Sequence, residues 1–327
     1  MIENLEPRVV IIILVWNDYL NTKQCLESLS LIEYKNLEII IVDNHSHTDC
    51  VKKLQGEYKD LTYILNDENY GYAEGNNIGI RYALAHQAEY VLVLNNDVIV
   101  KNKDLLTEMV SCFAKNTGLG ILGCKVMQYD VKAGYRPYNY DVYFFEKVKD
   151  RLLRNSFKKA ALADVKHLII RLWVPGSAIM FSREMLSNVG LFNSEFFMFA
   201  EENDLCIRAF KSGYLVGQAA DDKAIVYHMA GMSYNHTATW RSCLITRNMI
   251  TLLNNFAGVD YGGAVFYFCL SFLKPNLKFL LIGKYNYILA ACAGLMYGVR
   301  WRIRDRFGLS KKFEYLTEGR KISSCKW

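Results

Sequence analysis

Residues 91–100, VLVLNNDVIV, decide how this chain is read. Val91 to Leu94 are apolar, Asn95, Asn96 and Asp97 are polar, and Val98 to Val100 are apolar again. A short unbroken apolar run fits a strand buried on both faces, as in a parallel sheet. Such a strand tolerates Asn and Asp only where it leaves the sheet, and in open parallel sheets ligands collect at those carboxyl ends. Asp97 would then stand at the lip of a crevice. Its carboxylate is a hard oxygen ligand suited to Mg²⁺ or Mn²⁺ carrying phosphate oxygens. By itself the triplet reads first as a plain turn, since Asn and Asp favour turns.

Working outward, the same signature recurs. Val9–Val15 (VVIIILV) predicts a buried strand ending at Trp16-Asn17-Asp18, and a helical pattern follows through Leu20, Cys25, Leu26 and Leu29. Leu37–Val42 predicts a second strand closing on Asp43-Asn44-His45-Ser46, and Leu61–Leu65 a third closing on Asn66-Asp67. Strands alternating with helical segments argue for βαβ units and a mainly parallel sheet flanked by helices, that is, an α/β, Rossmann-like fold. A polar edge repeated at every strand end carries more weight than any one residue in it. Between the third strand and the next helix lies Asn66–Gly79, NDENYGYAEGNNIG, rich in Gly and Asn. Such a loop can adopt left-handed angles and approach a ligand closely. The helix, expected to start near Asn76, would aim its N-terminal amides at the same crevice.

Downstream of Asp97, a helix is expected over Asp104–Ala114 and an apolar stretch over Leu119–Met127. Gly134–Arg171 is aromatic and basic, and reads equally as a substrate-contacting excursion or a variable surface insertion. Trp173–Phe181 predicts a core strand opened by a Pro-Gly turn. Leu191–Ala200 is aromatic and apolar, and Glu201-Glu202-Asn203-Asp204 then begins a helix running to about Lys211. Carboxylates in a first turn suit the helix dipole, yet here they follow a run fit to line an apolar pocket. His228 follows a short strand, Ala224–Tyr227.

The chain has 327 residues, 52% hydrophobic and only 22% charged, which excludes a disordered protein. Its net charge of +6 is unevenly placed, with twelve Lys or Arg against three Asp or Glu between Lys274 and Trp327. That basic end suggests an anionic surface as partner. Gly263–Leu273 is apolar and aromatic, and Leu277–Val299 is apolar but interrupted by Lys278, Lys284 and Asn286. A spanning helix wants about twenty residues almost free of charge, so the stretch fits interfacial helices on a membrane better than a true span or a soluble packing face. The nine cysteines show no CxxC or zinc-like spacing, which fits reduced core residues. No secretory signal is read before Val9, so the catalytic part is expected in the cytoplasm, peripheral on the inner face of the membrane.

Taken together, these motifs resemble family 2 glycosyltransferases of the GT-A fold, most of all the bacterial rhamnosyltransferase-like members that build surface polysaccharides. The matching pieces run in order over about residues 9–250. They are Ile11–Asp18, Val42-Asp43-Asn44, Asn69–Gly79, Leu94–Asp97, Pro175-Gly176-Ser177, Gly190–Arg208, His228 with Gly231 and Ser233, and Arg247-Asn248. The resemblance implies a GT-A domain over 1–258, with a nucleotide-sugar half to about 127 and an acceptor half beyond it, followed by a helical, membrane-associating region over 259–327. It implies that Trp16, Asn17 and Asp43 hold the base of a nucleotide-sugar, that Asn69, Gly71 and Asn77 line its sugar and phosphate path, and that Asn95 and Asn96 also belong to the donor-binding site. Asp97 would be the metal-binding carboxylate, with Asn95 where the family often has an Asp, and His228 would complete the metal site. Glu202 stands where the family's catalytic Asp usually lies, with Glu201 before it, and either could be the base.

The implied activity is inverting transfer from a nucleotide-diphosphate sugar, dTDP-rhamnose first, to a lipid-linked or glycan acceptor, with a divalent metal. Two other readings are a nucleotide-sugar-binding protein without catalysis and a nucleic-acid-binding protein using the basic tail. The tail is too apolar for nucleic acid to be the better partner, and that reading leaves Asp97 and Glu202 unexplained.

Overall fold

The computed structural model describes residues 6–130, 134–138, 165–229 and 238–257, with two single positions at 292 and 294. The expected interfacial region, most of the excursion after Gly134, and Gly231 and Ser233 lie outside the described residues. Two compact units divide the chain: segments 1–140, 155–197 and 201–234 make the first, and 141–154, 198–200 and 235–327 the second.

The first unit is built on an eight-stranded sheet. Its leading strands are β1 (Val9–Val15), β2 (Leu37–Asp43), β3 (Thr62–Leu65) and β4 (Tyr90–Asn95), in the spatial order β3-β2-β1-β4 and all parallel. Every residue of β1 except Leu14 is buried, as an unbroken β-branched run between two parallel neighbours requires. Helices α1 (Tyr19–Leu29), α2 (Cys50–Glu57) and α3 (Gly71–Ala85) make the crossovers. The register lines up the polar tips, with Asp43 opposite Val15, Leu65 opposite Asp43 and Asn95 opposite Leu14.

The deciding stretch is two strands rather than one interrupted strand. After β4 leaves the main sheet, Asn96 and Asp97 form a tight turn into β5 (Val98–Val100), which belongs to a second, four-stranded sheet. The turn expected of the triplet is therefore present, at Asn96 and Asp97. Leu119–Met127 divides in the same way, into β6 (Leu119–Gly123) of the main sheet and β7 (Lys125–Asp130) of the second, with β8 (Gly134–Pro137) beside it. At the far edge of the main sheet β9 (Leu168–Ile170) pairs antiparallel with β11 (Leu215–Ala219).

Between β4 and β6 runs β10 (Ala178–Ser182), antiparallel to both, so the sheet is mixed rather than parallel throughout. The expected strand over Trp173–Phe181 starts late, because Pro175 has no N–H to donate and the chain turns at Gly176 and Ser177 before pairing begins. Helix α4 (Leu105–Lys115) follows β5, and after β10 come α5 (Arg183–Val189) and α6 (Glu201–Lys211). In the second sheet β12 (Ile225–His228) pairs antiparallel with β5 and parallel with β7. In the second unit the described helix is α7 (Ala238–Ala257). Among the described residues no helix is long and apolar enough to cross a membrane.

Candidate active site

The antiparallel pairing of β12 with β5 sets His228 opposite Val98, one residue past Asp97. The backbone bond from Met229 N–H to the Asp97 carbonyl (3.0 Å) locks this register. As a result His228 Nε2 lies 3.1 Å from Asp97 Oδ1, with the two side chains only 16% and 8% exposed. Asn95 Nδ2 is 3.4 Å from the same imidazole nitrogen. The Asn95 N–H donates to the Ser177 carbonyl (2.9 Å), and the Tyr72 hydroxyl to the Gly176 carbonyl (2.6 Å), so the Pro-Gly-Ser turn bridges β4 and α3. Among the described residues, His228 Nδ1, Asn95 Oδ1 and Ser177 Oγ are buried with no hydrogen-bond partner. Leaving a buried polar atom unpaired costs about 1–3 kcal/mol, which a folded chain rarely tolerates without a use for it.

A second acidic group sits at the start of α6, whose first turn carries Glu201, Glu202 and Asp204. Asp204 is committed to the scaffold. Its Oδ2 accepts from Arg208 Nε at 2.7 Å, and the same guanidinium donates to the Val189 and Leu191 carbonyls at 2.9 and 2.6 Å. Burial raises the Asp204 carboxyl, and Arg208 opposes that shift. At Glu201 the balance differs. Burial first, and then the neighbouring Glu202 charge and a hydrogen bond to Glu202, hold its carboxyl well above the ordinary range. Glu201 Oε2 and Asn203 Nδ2 are also buried without a hydrogen-bond partner among the described residues.

The residues that lead into this helix are strained. Phe197, Phe199 and Ala200 have φ of 60°, 72° and 72°, a conformation costing a non-glycine residue about 1–2 kcal/mol. The Phe197 carbonyl accepts from Ala73 N–H at 3.1 Å. Gly71 lets the chain approach, since its φ is +75° and a Cβ there would lie 2.5 Å from the Phe197 carbonyl oxygen.

At the tips of β1 and β2 the expected donor-binding residues are tied to one another. Trp16 is 48% exposed. Asn17, itself at φ 56°, donates its N–H to Ser46 Oγ (2.9 Å), and its Oδ1 accepts from His47 and Thr48 N–H (2.7 and 3.1 Å). Asp43 Oδ1 accepts from Ser46 N–H at 3.1 Å. Asn69 Oδ1 accepts from Asn44 Nδ2 (2.8 Å) and Gly71 N–H (2.9 Å). Asn96 points toward α1, its Nδ2 donating to Thr22 Oγ1 at 3.0 Å. Asn44, quoted above only as part of a motif, is the hub of this network. It is 3% exposed, donates to Asn69 and the Gly71 carbonyl, and accepts from Asn66 Nδ2 and Tyr70 N–H.

Two expectations about the Gly- and Asn-rich stretch are corrected. Helix α3 begins at Gly71 rather than near Asn76, because Asn69 and Asn44 satisfy the Gly71 and Tyr70 amides there. Asn76 and Asn77 therefore lie within the helix, not at its open end. Asn77 is 3% exposed and clamps Phe192 by donating to its carbonyl (2.9 Å) and accepting from its N–H (3.0 Å). Gly75 and Gly79 serve close packing. A Cβ at either would lie 2.7 Å from a side-chain carbon, of Leu14 and Ile12 respectively.

A mixed sheet with a parallel leading half, a second small sheet that turns Asp97 onto His228, and an acidic helix start define a GT-A glycosyltransferase. Solved structures with this fold include a mannosyltransferase from Pyrobaculum calidifontis in complex with GDP-Man and Mn²⁺, with a TM-score of 0.54 and 15% identity, covering 93% of this chain and 89% of that one. Another is residues 1–349 of S. aureus TarS in complex with UDP-GlcNAc, at TM-score 0.55 and 16% identity, covering 86% and 79%. The sequence profile described as Glycosyl transferase family 2 matches residues 10–189, more than half of the chain, and the chain belongs to that family. Among curated relatives, a hexosyltransferase of low-salt glycan biosynthesis from Haloferax volcanii is 26% identical, over 81% of this chain and 83% of its own length. A dTDP-rhamnosyl transferase from Shigella flexneri is 24% identical over 68% and 69%.

Proposed function

We propose that this glycosyltransferase moves a sugar, rhamnose first among candidates, from a nucleoside diphosphate to a hydroxyl of a lipid-linked or glycan acceptor in surface polysaccharide synthesis, with inversion at the anomeric carbon. The observation that carries this reading is the Asp97–His228 contact at the carboxyl edge of the sheet, ringed by buried polar atoms that no described protein group satisfies. The donor assignment draws on relatives described as rhamnosyl transferases, and the association with a membrane surface on the basic, apolar C-terminal sequence.

Asp97 and His228 suit a divalent cation, offering one carboxylate oxygen and one imidazole nitrogen. Among the described residues no three His, Cys, Asp or Glu side chains cluster, so further ligands would come from the donor's phosphates and water, as Mg²⁺ and Mn²⁺ commonly accept. When bound, the cation supplies neutralisation of charge on the departing diphosphate. Glu202 takes the proton of the incoming hydroxyl as its oxygen bonds to the anomeric carbon. One base and no enzyme nucleophile give a single displacement, hence inversion. Asn17 and Asp43, which brace the loop beside exposed Trp16, frame the nucleotide base.

A thermal-shift series with dTDP-rhamnose, UDP-glucose and GDP-mannose, each with and without Mn²⁺, tests the reading. The expected result is a rise in Tm that requires Mn²⁺, is greatest for dTDP-rhamnose, and is lost in Asp97→Asn. Equal shifts with and without Mn²⁺ would refute the metal role. No shift with any of the three would refute the donor class.

A further inference from the structure

The Arg247-Asn248 pair matches the family pattern but has no part in the chemistry above. Asn248 lies on α7 and is 1% exposed. Its Nδ2 donates to two successive carbonyls, Met198 at 2.8 Å and Phe199 at 2.6 Å. Its Oδ1 accepts from Arg247 Nε at 2.7 Å, which orients the amide so that its nitrogen faces the turn. The turn it grips is the strained one, where Phe199 and Ala200 both have φ of 72°, and the next residue in the chain is Glu201.

A segment holding successive non-glycine residues in the left-handed region relaxes unless its surroundings over-determine it. From the other side Phe197 is held by Ala73 N–H and by its own N–H to the Ser194 carbonyl (3.1 Å). Hydrogen bonds thus hold the backbone at Phe197 and again at Met198 and Phe199, within four residues of Glu201 in the chain. A catalytic carboxylate must be held to a fraction of an ångström, and a misplacement of about 1 Å can cost on the order of 10²-fold in rate.

We infer that Asn248 is a positioning residue for the acidic start of α6, acting through the Met198 and Phe199 carbonyls rather than by touching substrate. The inference rests on the reading of Glu202 as the base.

The test uses the full chain and measures Mn²⁺-dependent release of nucleoside diphosphate from dTDP-rhamnose, UDP-glucose and GDP-mannose, normalised to folded protein by circular dichroism and Tm. Asn248→Ala should lower kcat by about 10²-fold and leave the donor KM within about twofold. Asn248→Asp keeps the shape but loses the donor hydrogens, whereas Asn248→Gln keeps the donor and changes the shape. Positioning by hydrogen bonds therefore predicts that Gln retains more rate than Asp, and simple packing predicts the reverse. An Asp variant as fast as or faster than Gln would overturn the inference, and so would a loss confined to KM or a kcat within twofold of wild type in Asn248→Ala. Glu202→Gln runs alongside. If it turns over at the wild-type rate, the base assignment itself fails, whatever Asn248 does.

Discussion

Two polar regions of the first unit use the same residue types for opposite ends. At the tips of β1, β2 and β3, Asn44 is bonded to Asn66 and Asn69, and Asn17 to the loop at Ser46, His47 and Thr48. In the region of Asp97, His228 and Asn95, and at Glu201 on α6, buried polar atoms are left without hydrogen-bond partners among the described residues. The first region has spent its hydrogen bonds on shape. The second keeps them in reserve, at a stability cost that only a ligand or a reaction would offset. Residue type alone does not separate scaffold from chemistry; the bonding state does.

Several substitutions would break or sharpen that contrast. The largest effect is expected for Glu202→Gln, which preserves size and hydrogen bonding but removes the base. Turnover should fall by about 10²- to 10⁴-fold while Tm stays close to wild type. A large drop in Tm with normal turnover per folded molecule would move Glu202 to the scaffold side. Next comes Asn44→Ala, which strands partners on Asn66, Asn69, Tyr70 and Gly71 at once. Urea denaturation should show a loss of about 3 kcal/mol, and an unchanged midpoint would remove Asn44 from its place as hub.

Glu201→Gln should act in the opposite sense. A carboxyl raised by burial and by Glu202 binds a proton more tightly in the folded chain than in the unfolded one, so this group's stability contribution is intact at low pH and is lost as pH rises above the ordinary carboxylate range. The Gln variant escapes that loss. Its Tm relative to wild type should be near zero in acid and grow as pH rises toward neutrality, with a gain on the order of 1 kcal/mol. A difference that shrinks with rising pH would contradict the shift. The smallest effect is expected for Asn96→Ala, which gives up the single bond to Thr22 and should cost about 1 kcal/mol with donor binding intact. Loss of the Mn²⁺-dependent thermal shift in this variant would place Asn96 with the chemistry after all.

Much of this was legible in the chain. The runs at Val9–Val15, Leu37–Val42 and Val91–Leu94 are too apolar and β-branched to be anything but central strands, and each ends in a residue that cannot stay in the core. The polar edge followed from that. The sense of β10 was not legible, because an apolar run looks the same whichever way its neighbours point. Nor were the uses of Gly75 and Gly79, since a glycine that admits a ligand and one that admits a neighbouring strand are the same letter. The bonds of Asn77 were not legible for a related reason: its amide could serve a phosphate or a backbone, and Phe192, more than a hundred residues away, meets it only in the folded chain.

By itself, then, the order of residues determined the layered α/β sheet, the row of Asn and Asp at its edge, and the acidic start of α6. Those properties depend on hydrophobic burial and helix electrostatics, which act over a few neighbouring residues. Tertiary structure alone decided that His228 meets Asp97, that Asp204 is consumed by Arg208 while Glu201 is not, and that Asn248 grips the turn before the acidic pair. Each of those outcomes is a matter of which polar atoms run out of partners once distant segments have been packed together, and that tally exists only in the folded molecule.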